Sequence, residues 1–190
     1  MKISRFGQAT PLCNTTFNQI SNCFATDVYK LFLGIAWYTG ERPEAILGMN
    51  VDHAYSDVNK REPRETIIYP ANNRKDKKTR EVPAHRALKL MLSAYNPPET
   101  GFLFPSLYQS ERHLSRQAVD KAFRRALKKA GLENQGYSLY SARRGFITRL
   151  NRLGFDIKVI QKLTGHRSLS SLIRYIDVSD AQLKNAIENF

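Results

Sequence analysis

Arginine is the side chain whose placement in this sequence first suggests chemistry. Leu139, Arg143, Phe146, Leu150 and Leu153 recur at spacings of four, three, four and three, the stripe that a helix turns toward a core. Arg143 stands in that stripe where an apolar residue is expected. A guanidinium cannot shed its proton to escape burial, so a sheltered arginine needs an anion beside it. Arg42 follows a break at Thr39-Gly40 and precedes Pro43, a residue suited to the first turn of a new helix. That break puts Arg42 beside fresh helical N–H groups, a common setting for holding a phosphate. Between Arg74 and Arg80 stand five cations: Arg74, Lys75, Lys77, Lys78 and Arg80. What these groups share is a grip on negatively charged oxygen.

The elements that must position them can be read in outline. Residues 1–14 carry Gly, Pro, Thr and Asn without a period and read as an extended lead-in. A short helix is expected over 15–25, with Phe17, Ile20 and Phe24 on one face. Asp27 is placed to cap the next helix, whose buried side is Val28, Leu31, Phe32 and Ile35. Another runs from Pro43 to about Met49. Thr66-Ile67-Ile68-Tyr69 reads as a strand and Arg80-Glu81-Val82-Pro83 as its return partner. The run 72–79 between them reads as a polar tip too hydrophilic to fold inward, either solvated or entering a DNA groove.

Residues 84–95 read as a helix with Leu88, Met91 and Leu92 inward, stopped at Asn96-Pro97-Pro98. The clearest helix spans 116–130. Ser115 is its cap, Leu114 and Val119 its staple, and Gly131 its end. One face carries Val119, Ala122, Phe123, Ala126 and Leu127, another Lys121, Arg124, Arg125 and Lys128. Such a cationic face is either solvated or in contact with phosphates. Asp156 caps a helix through Leu163, stapled by Phe155 and Ile160, and Gly165 ends it so that the turn presents His166. Ser179 and Gln182 make a capping box for a last helix, with Val178 and Leu183 as its staple. Leu183, Ile187 and Phe190 form its apolar stripe, which needs a groove on the same molecule or on a neighbour. Mainly helical content with one small antiparallel hairpin predicts an α+β fold.

Length and composition bound the function. At 190 residues and 42% hydrophobic content the chain suits one folded domain with a real core. Thirty Lys and Arg oppose seventeen Asp and Glu, a net charge of +13, which implies a polyanionic partner, most simply nucleic acid. Basic ribosomal proteins and binders of anionic membranes fit that count too. Cys13 and Cys23 make no disulfide framework, in keeping with a reducing interior. The most apolar run, 31–38, is far too short to span a bilayer, and no signal peptide is legible, so the cytoplasm is the expected compartment. His53, His85, His113 and His166 are scattered, and no carboxylate cluster has ligand spacing, which argues against a metal-dependent nuclease.

Together these residues resemble the tyrosine site-specific recombinases, the phage integrase family. Thr39-Gly40-Glu41-Arg42-Pro43 is similar to the family's first arginine motif. Lys75, with Arg80-Glu81-Val82-Pro83 after it, resembles its hairpin lysine. Tyr140-Ser141-Ala142-Arg143 falls on its His-x-x-Arg box, Leu163-Thr164-Gly165-His166 on its Leu-Gly-His box, and Arg174-Tyr175 on its nucleophile. Arg143 and His166 are 23 residues apart and His166 and Tyr175 nine, spacings typical of the family. Each motif alone is weak; the ordered set is specific.

The resemblance implies the recombinase catalytic-domain fold over 15–190, after a lead-in of residues 1–14. Many members carry a separate N-terminal helical domain that closes around DNA; none is read in this chain, which is expected to be either a catalytic-domain-only recombinase or a fragment. It implies an enzyme of the integrase, excisionase or invertase kind acting on double-stranded DNA as a homo-oligomer, a tetramer during strand exchange, in a prokaryotic or phage-infected cell. Tyr175 would be the nucleophile of a 3′-phosphotyrosine link. Arg42 and Arg143 would bind the non-bridging oxygens, where a planar fork outperforms an ammonium. Lys75 would protonate the leaving 5′ oxygen, and His166 would assist the phosphate or the tyrosine. Tyr140 completes the expected catalytic set. Arg74, Lys77, Lys78, Lys121, Arg124, Arg125, Lys128, Arg144 and Arg167 are the expected DNA-contacting cations. Because the link stores the bond energy, the resemblance implies neither ATP nor an obligatory metal.

This chain departs from the pattern at two positions. Tyr140 stands where the family usually has His, and its hydroxyl, one turn before Arg143, can still reach a phosphate oxygen. Ala45 stands where an acidic residue commonly follows the first arginine; Glu44 is displaced by one, about 100° around a helix. Two other readings therefore stay open: a recombinase-like protein that holds DNA with weak or no cleavage, and an activity like that of type IB topoisomerases.

Overall fold

The computed structural model describes residues 8–74, 77–106, 108–109, 111–176 and 180–189. Three helices open the chain: α1 (Asn14–Cys23), α2 (Asp27–Thr39) and α3 (Pro43–Leu47). Two small antiparallel hairpins follow, β1 (Tyr55–Asp57) with β2 (Glu62–Pro63), and β3 (Thr66–Tyr69) with β4 (Arg80–Pro83). The rest is helical: α4 (Arg86–Ala94), α5 (Arg116–Lys129), α6 (Ser141–Arg152), α7 (Ile157–Thr164), α8 (Leu169–Ile173) and α9 (Asp180–Glu188). The expected α+β class and the β3–β4 pairing hold, with Ile67 opposite Val82 and Tyr69 opposite Arg80.

Helix α2 is the spine. Its apolar run Leu31, Phe32, Leu33, Ile35, Ala36 and Trp37 is buried on nearly every side, because α1, α3, α4, α5 and α6 all pack against it. Phe17 stacks on Trp37 at 5.0 Å between ring centroids, and the Arg149 guanidinium lies 4.1 Å from the indole. Helix α2 ends at Gly40, whose φ of +64° places it in the left-handed region. Here glycine is required twice over, since a Cβ would sit 2.4 Å from the Phe146 ring of α6.

The lead-in is fixed where it is described. Thr10 N–H donates to Gly136 O at 3.0 Å, Leu12 N–H to Ser141 O at 3.0 Å, and Ala9 and Leu12 are buried. The caps expected at Ser115 and Asp156 form, accepting from Ala118 N–H at 3.1 Å and Lys158 N–H at 2.7 Å. Three expectations need correction. Asp27 is the first residue of α2 rather than its cap, and its carboxylate pairs with Lys30. Leu153 leaves the α6 stripe: it follows the last helical residue, and 67% of it is exposed. Phe155 is 49% exposed, so it does not close over the start of α7.

A second, smaller apolar cluster of Ile147, Ile160 and Leu172 joins α6, α7 and α8. Tyr175 packs against it just after α8. Leu183 and Ile187 of α9 are 56% and 79% exposed. Ser179, Val178, Phe190 and the Gln182 side chain, also expected in the capping and stripe of α9, lie outside the described residues.

Candidate active site

The two arginines drawn from sequence occupy different depths. Arg42 is the residue before α3, with Pro43 in the first helical turn, and its side chain is about one-third exposed. Arg143 lies one turn into α6 and is 1% exposed. Its Nη1 donates to Gly40 O at 2.6 Å and its Nη2 to Thr164 O at 2.9 Å. Arg143 therefore ties the end of α2 to the end of α7, at the turn that carries His166.

The anion beside Arg143 is Glu41. Its carboxylate is buried, and Oε1 lies 3.7 Å from Arg143 Nη1 and 3.9 Å from Arg42 Nη1. Oε1 also accepts from the Arg42 N–H at 2.7 Å. Oε2 lies 2.8 Å from Arg80 Nη2 and pairs closely with Arg74. Four guanidinia thus surround one carboxylate. Arg74 corrects the solvated-tip expectation: it is buried, because Glu41 offers it a partner that water would otherwise supply. Lys75, the residue after it, lies outside the described residues.

His166 is presented by the Gly165 turn, as expected; Gly165 has φ +65°, and a Cβ there would meet Arg74 Nη2 at 2.6 Å. The ring's tautomer follows from its partners. Thr164 Oγ1 donates to Ile160 O at 2.7 Å, so it accepts from His166 Nδ1 at 2.6 Å. Nε2 is left to accept from Arg143 Nη2 at 3.2 Å. Burial, then the nearby guanidinia of Arg143, Arg42 and Arg80, push the imidazole down to about 3. It is neutral at physiological pH. Burial also lowers Arg143 from its usual range, with Arg42 adding to the effect and Glu41 opposing it.

Arg42, Tyr140, His166, Arg174 and Tyr175, with Arg144 and Arg167, line one cavity of about 600 Å³. Tyr175 is half-buried, its ring 5.4 Å from that of His166 and 5.8 Å from the Arg144 guanidinium. Arg144 differs from the expected surface cation: it is buried and donates to Ala9 O at 2.7 Å, pinning the lead-in beside Tyr175. Tyr140 immediately precedes α6, with Arg116 5.5 Å from its ring. Burial, then the Glu44 carboxylate, raise the Tyr140 phenol, so it keeps its proton at neutral pH. Glu44 itself turns to Arg116 at 2.6 Å. Lys121, Arg124, Arg125 and Lys128 are exposed along α5, Arg124 paired with Asp120 at 2.7 Å. They line a groove of about 910 Å³ that meets the cavity at Ser138 and Tyr140. Lys77, Lys78 and Arg167 are exposed as well.

Glu41 and Arg80 were missed as site residues by sequence reasoning, and Arg74, expected as a DNA-contacting cation, is instead buried and paired with Glu41. A signal existed for Glu41: it is a lone acid between Thr39-Gly40 and Arg42, at a break where the chain crosses the core. For the burial of Arg74 there was none, since every neighbour in sequence is polar.

The chain matches the phage integrase family over residues 14–182 and belongs to that family. It is 30% identical over 154 residues to tyrosine recombinase XerC of Caldanaerobacter subterraneus, covering 78% of this chain and 40% of that protein. It is 26% identical over 163 residues to XerA of Pyrococcus furiosus, covering 84% of this chain and 53% of that one. The chain thus spans about half or less of the length of these relatives. A crystal structure of XerA recombinase superposes with a TM-score of 0.74 at 18% identity, over 100% of this chain and 65% of that one. The catalytic domain of bacteriophage HP1 integrase superposes with a TM-score of 0.68 at 20% identity, over 95% of both chains. The fold is therefore that of the recombinase catalytic domain.

Proposed function

We propose that this chain is the catalytic part of a site-specific DNA recombinase that cuts and rejoins strands through a 3′-phosphotyrosine link. The observation that carries this reading is the single cavity in which Arg42, Tyr140, His166 and Tyr175 meet above Arg143. In the cutting step the Tyr175 oxygen attacks phosphorus, the new O–P bond forms, and the bond from phosphorus to the 5′ oxygen breaks. The phenolic proton passes from Tyr175 to solvent while a proton is delivered to the departing 5′ oxygen, the role assigned to Lys75, so the step is proton-neutral overall. Rejoining is the reverse, so no external energy source enters.

Preorganised donors favour the charge that gathers on the non-bridging oxygens. Arg42, at the mouth of α3, supplies a partly exposed guanidinium. Tyr140 supplies a phenol that stays protonated, hence a hydrogen-bond donor in place of the family's histidine. His166, neutral and seated on Arg143, assists without adding charge. The α5 groove, with Lys77 and Lys78 on the hairpin arm, takes the flanking backbone of double-stranded DNA. One of the solved relatives is XerH bound to its difH substrate in a pre-cleavage complex, 20% identical with a TM-score of 0.70, which supports DNA as the partner. Strand exchange joins several active sites, and the exposed Leu183 and Ile187 of α9 are the surface we assign to a neighbouring copy.

The test is covalent capture. The bound site is first found by nuclease protection, and a duplex nicked beside it is incubated with the protein and run in denaturant. A protein–DNA adduct is expected, and Tyr175→Phe is expected to abolish it while leaving affinity for the duplex intact. Tyr140 in the histidine position is the observation that favours a second reading, a binding protein without cleavage. Tight binding with no wild-type adduct would establish that reading instead. Plasmid relaxation without exchange between sites would point to topoisomerase-like activity.

A further inference from the structure

We infer that Glu41 is a positioning residue for cleavage, supplying from before Arg42 the carboxylate that is missing at Ala45. The inference rests on the recombinase reading above. Ala45 is buried on α3 and offers no charge. Glu44, one residue earlier, is half exposed and committed to Arg116. Glu41 is the acid shared by the ion pairs of Arg42, Arg74, Arg80 and Arg143.

Its reach extends beyond Arg42. Arg80 donates to Leu163 O, and Arg143 to Thr164 O at 2.9 Å. Both carbonyls belong to the last turn of α7, where such groups lack helical partners. Glu41 therefore steadies the two side chains that hold the turn bearing His166. By pairing with Arg74 and Arg80 it also anchors both ends of the hairpin arm against the turn after α2. Without the carboxylate, four guanidinia at close quarters would repel one another, and those free to turn would move toward water. Arg42 has most freedom, because its side chain is the most exposed of the four. Glu41 thus sets where Arg42 points without touching the substrate.

The test uses Glu41→Gln, which keeps an amide oxygen for the Arg42 N–H and removes the charge. Adduct formation is measured in single turnover at saturating protein on two nicked duplexes. One carries an ordinary scissile phosphodiester, the other a methylphosphonate there, which has one charged oxygen fewer and so needs less from the arginines. On the phosphodiester, E41Q is expected to be slower by on the order of 10²-fold, with DNA affinity within about twofold of wild type. On the methylphosphonate the gap should shrink by at least about tenfold, since less charge awaits neutralisation. Equal losses on both duplexes would mark a merely structural role and overturn the inference. So would an E41Q rate within about twofold of wild type on the phosphodiester, at a scale of 1.4 kcal/mol per tenfold. If E41Q does not fold, the same comparison is made with Glu41→Gln and Arg74→Gln together, which removes one charge of each sign. An absent wild-type adduct would overturn the recombinase reading, and this inference with it.

Discussion

His166 illustrates how a single residue's chemistry is decided by its seat. A histidine in water titrates near neutrality, but this one faces Arg143 at 3.2 Å and donates to Thr164. Protonating Nε2 would turn an acceptor into a donor against another donor. Burial first, and then the guanidinia of Arg143, Arg42 and Arg80, lower the folded imidazole from 6.5 to about 3. The unfolded chain then binds a proton that the folded chain refuses as pH falls below 6.5, so stability is present above that value and lost below it. Denaturant titrations between pH 7 and pH 4 are expected to show a loss with a limiting slope of about 1.4 kcal/mol per pH unit from this group. His166→Gln should remove that component; an unchanged slope in the variant would refute the neutral seat.

At this scale the residues proposed to react were readable and their support was not. Arg42, His166 and Tyr175 announced themselves through order and spacing along the chain, and the structure brings them to one cavity. Arg143 was readable from burial alone, as a charge in an apolar stripe. Its immediate anion is Glu41, which stands 102 residues away in sequence. Pairing across that distance is a product of tertiary packing, and no local pattern encodes it. The same limit hid Arg74, whose hydrophilic neighbours suggested solvent while Glu41 drew it inward.

Helices were legible where their ends carry chemistry of their own. Ser115 and Asp156 cap as read, and Gly40, Gly131 and Gly165 all take positive φ beyond helix ends. Helix α8 was not read because five residues are too few to show a period. Helix α9 was read as an element with an apolar stripe, and of that stripe Leu183 and Ile187 are largely exposed. Replacing both with serine is expected to leave the monomer's thermal midpoint unchanged. The mass of the DNA-bound assembly in sedimentation should fall toward that of single copies. A midpoint lowered by several degrees would instead show that the stripe folds back on its own domain.

Over the whole molecule two groups of cations stand out. Lys121, Arg124, Arg125 and Lys128 on α5, with Lys77 and Lys78 on the hairpin arm, are exposed, and on the proposed reading they would meet DNA phosphate through water and salt. Lys128→Ala is expected to weaken binding about equally on every duplex sequence. It should also reduce the slope of log affinity against log salt by about 1, read from filter or anisotropy titrations. Lys77→Ala should do the same, and affinity indifferent to salt would contradict the assignment of this face. The second population is enclosed around Glu41, where mobile ions screen little.

That enclosed group has an unequal charge count. Among the described residues, the buried guanidinia of Arg74, Arg80 and Arg143 and the partly exposed one of Arg42 outnumber the Glu41 carboxylate by three. An enclosed excess of one sign raises the energy of the empty protein. A phosphate entering beside Arg42 would reduce it, and whatever binds only the folded chain stabilises the fold by mass action. On the proposed reading, the negative charge of a DNA phosphate would offset that local excess, and DNA bound there would stabilise the fold.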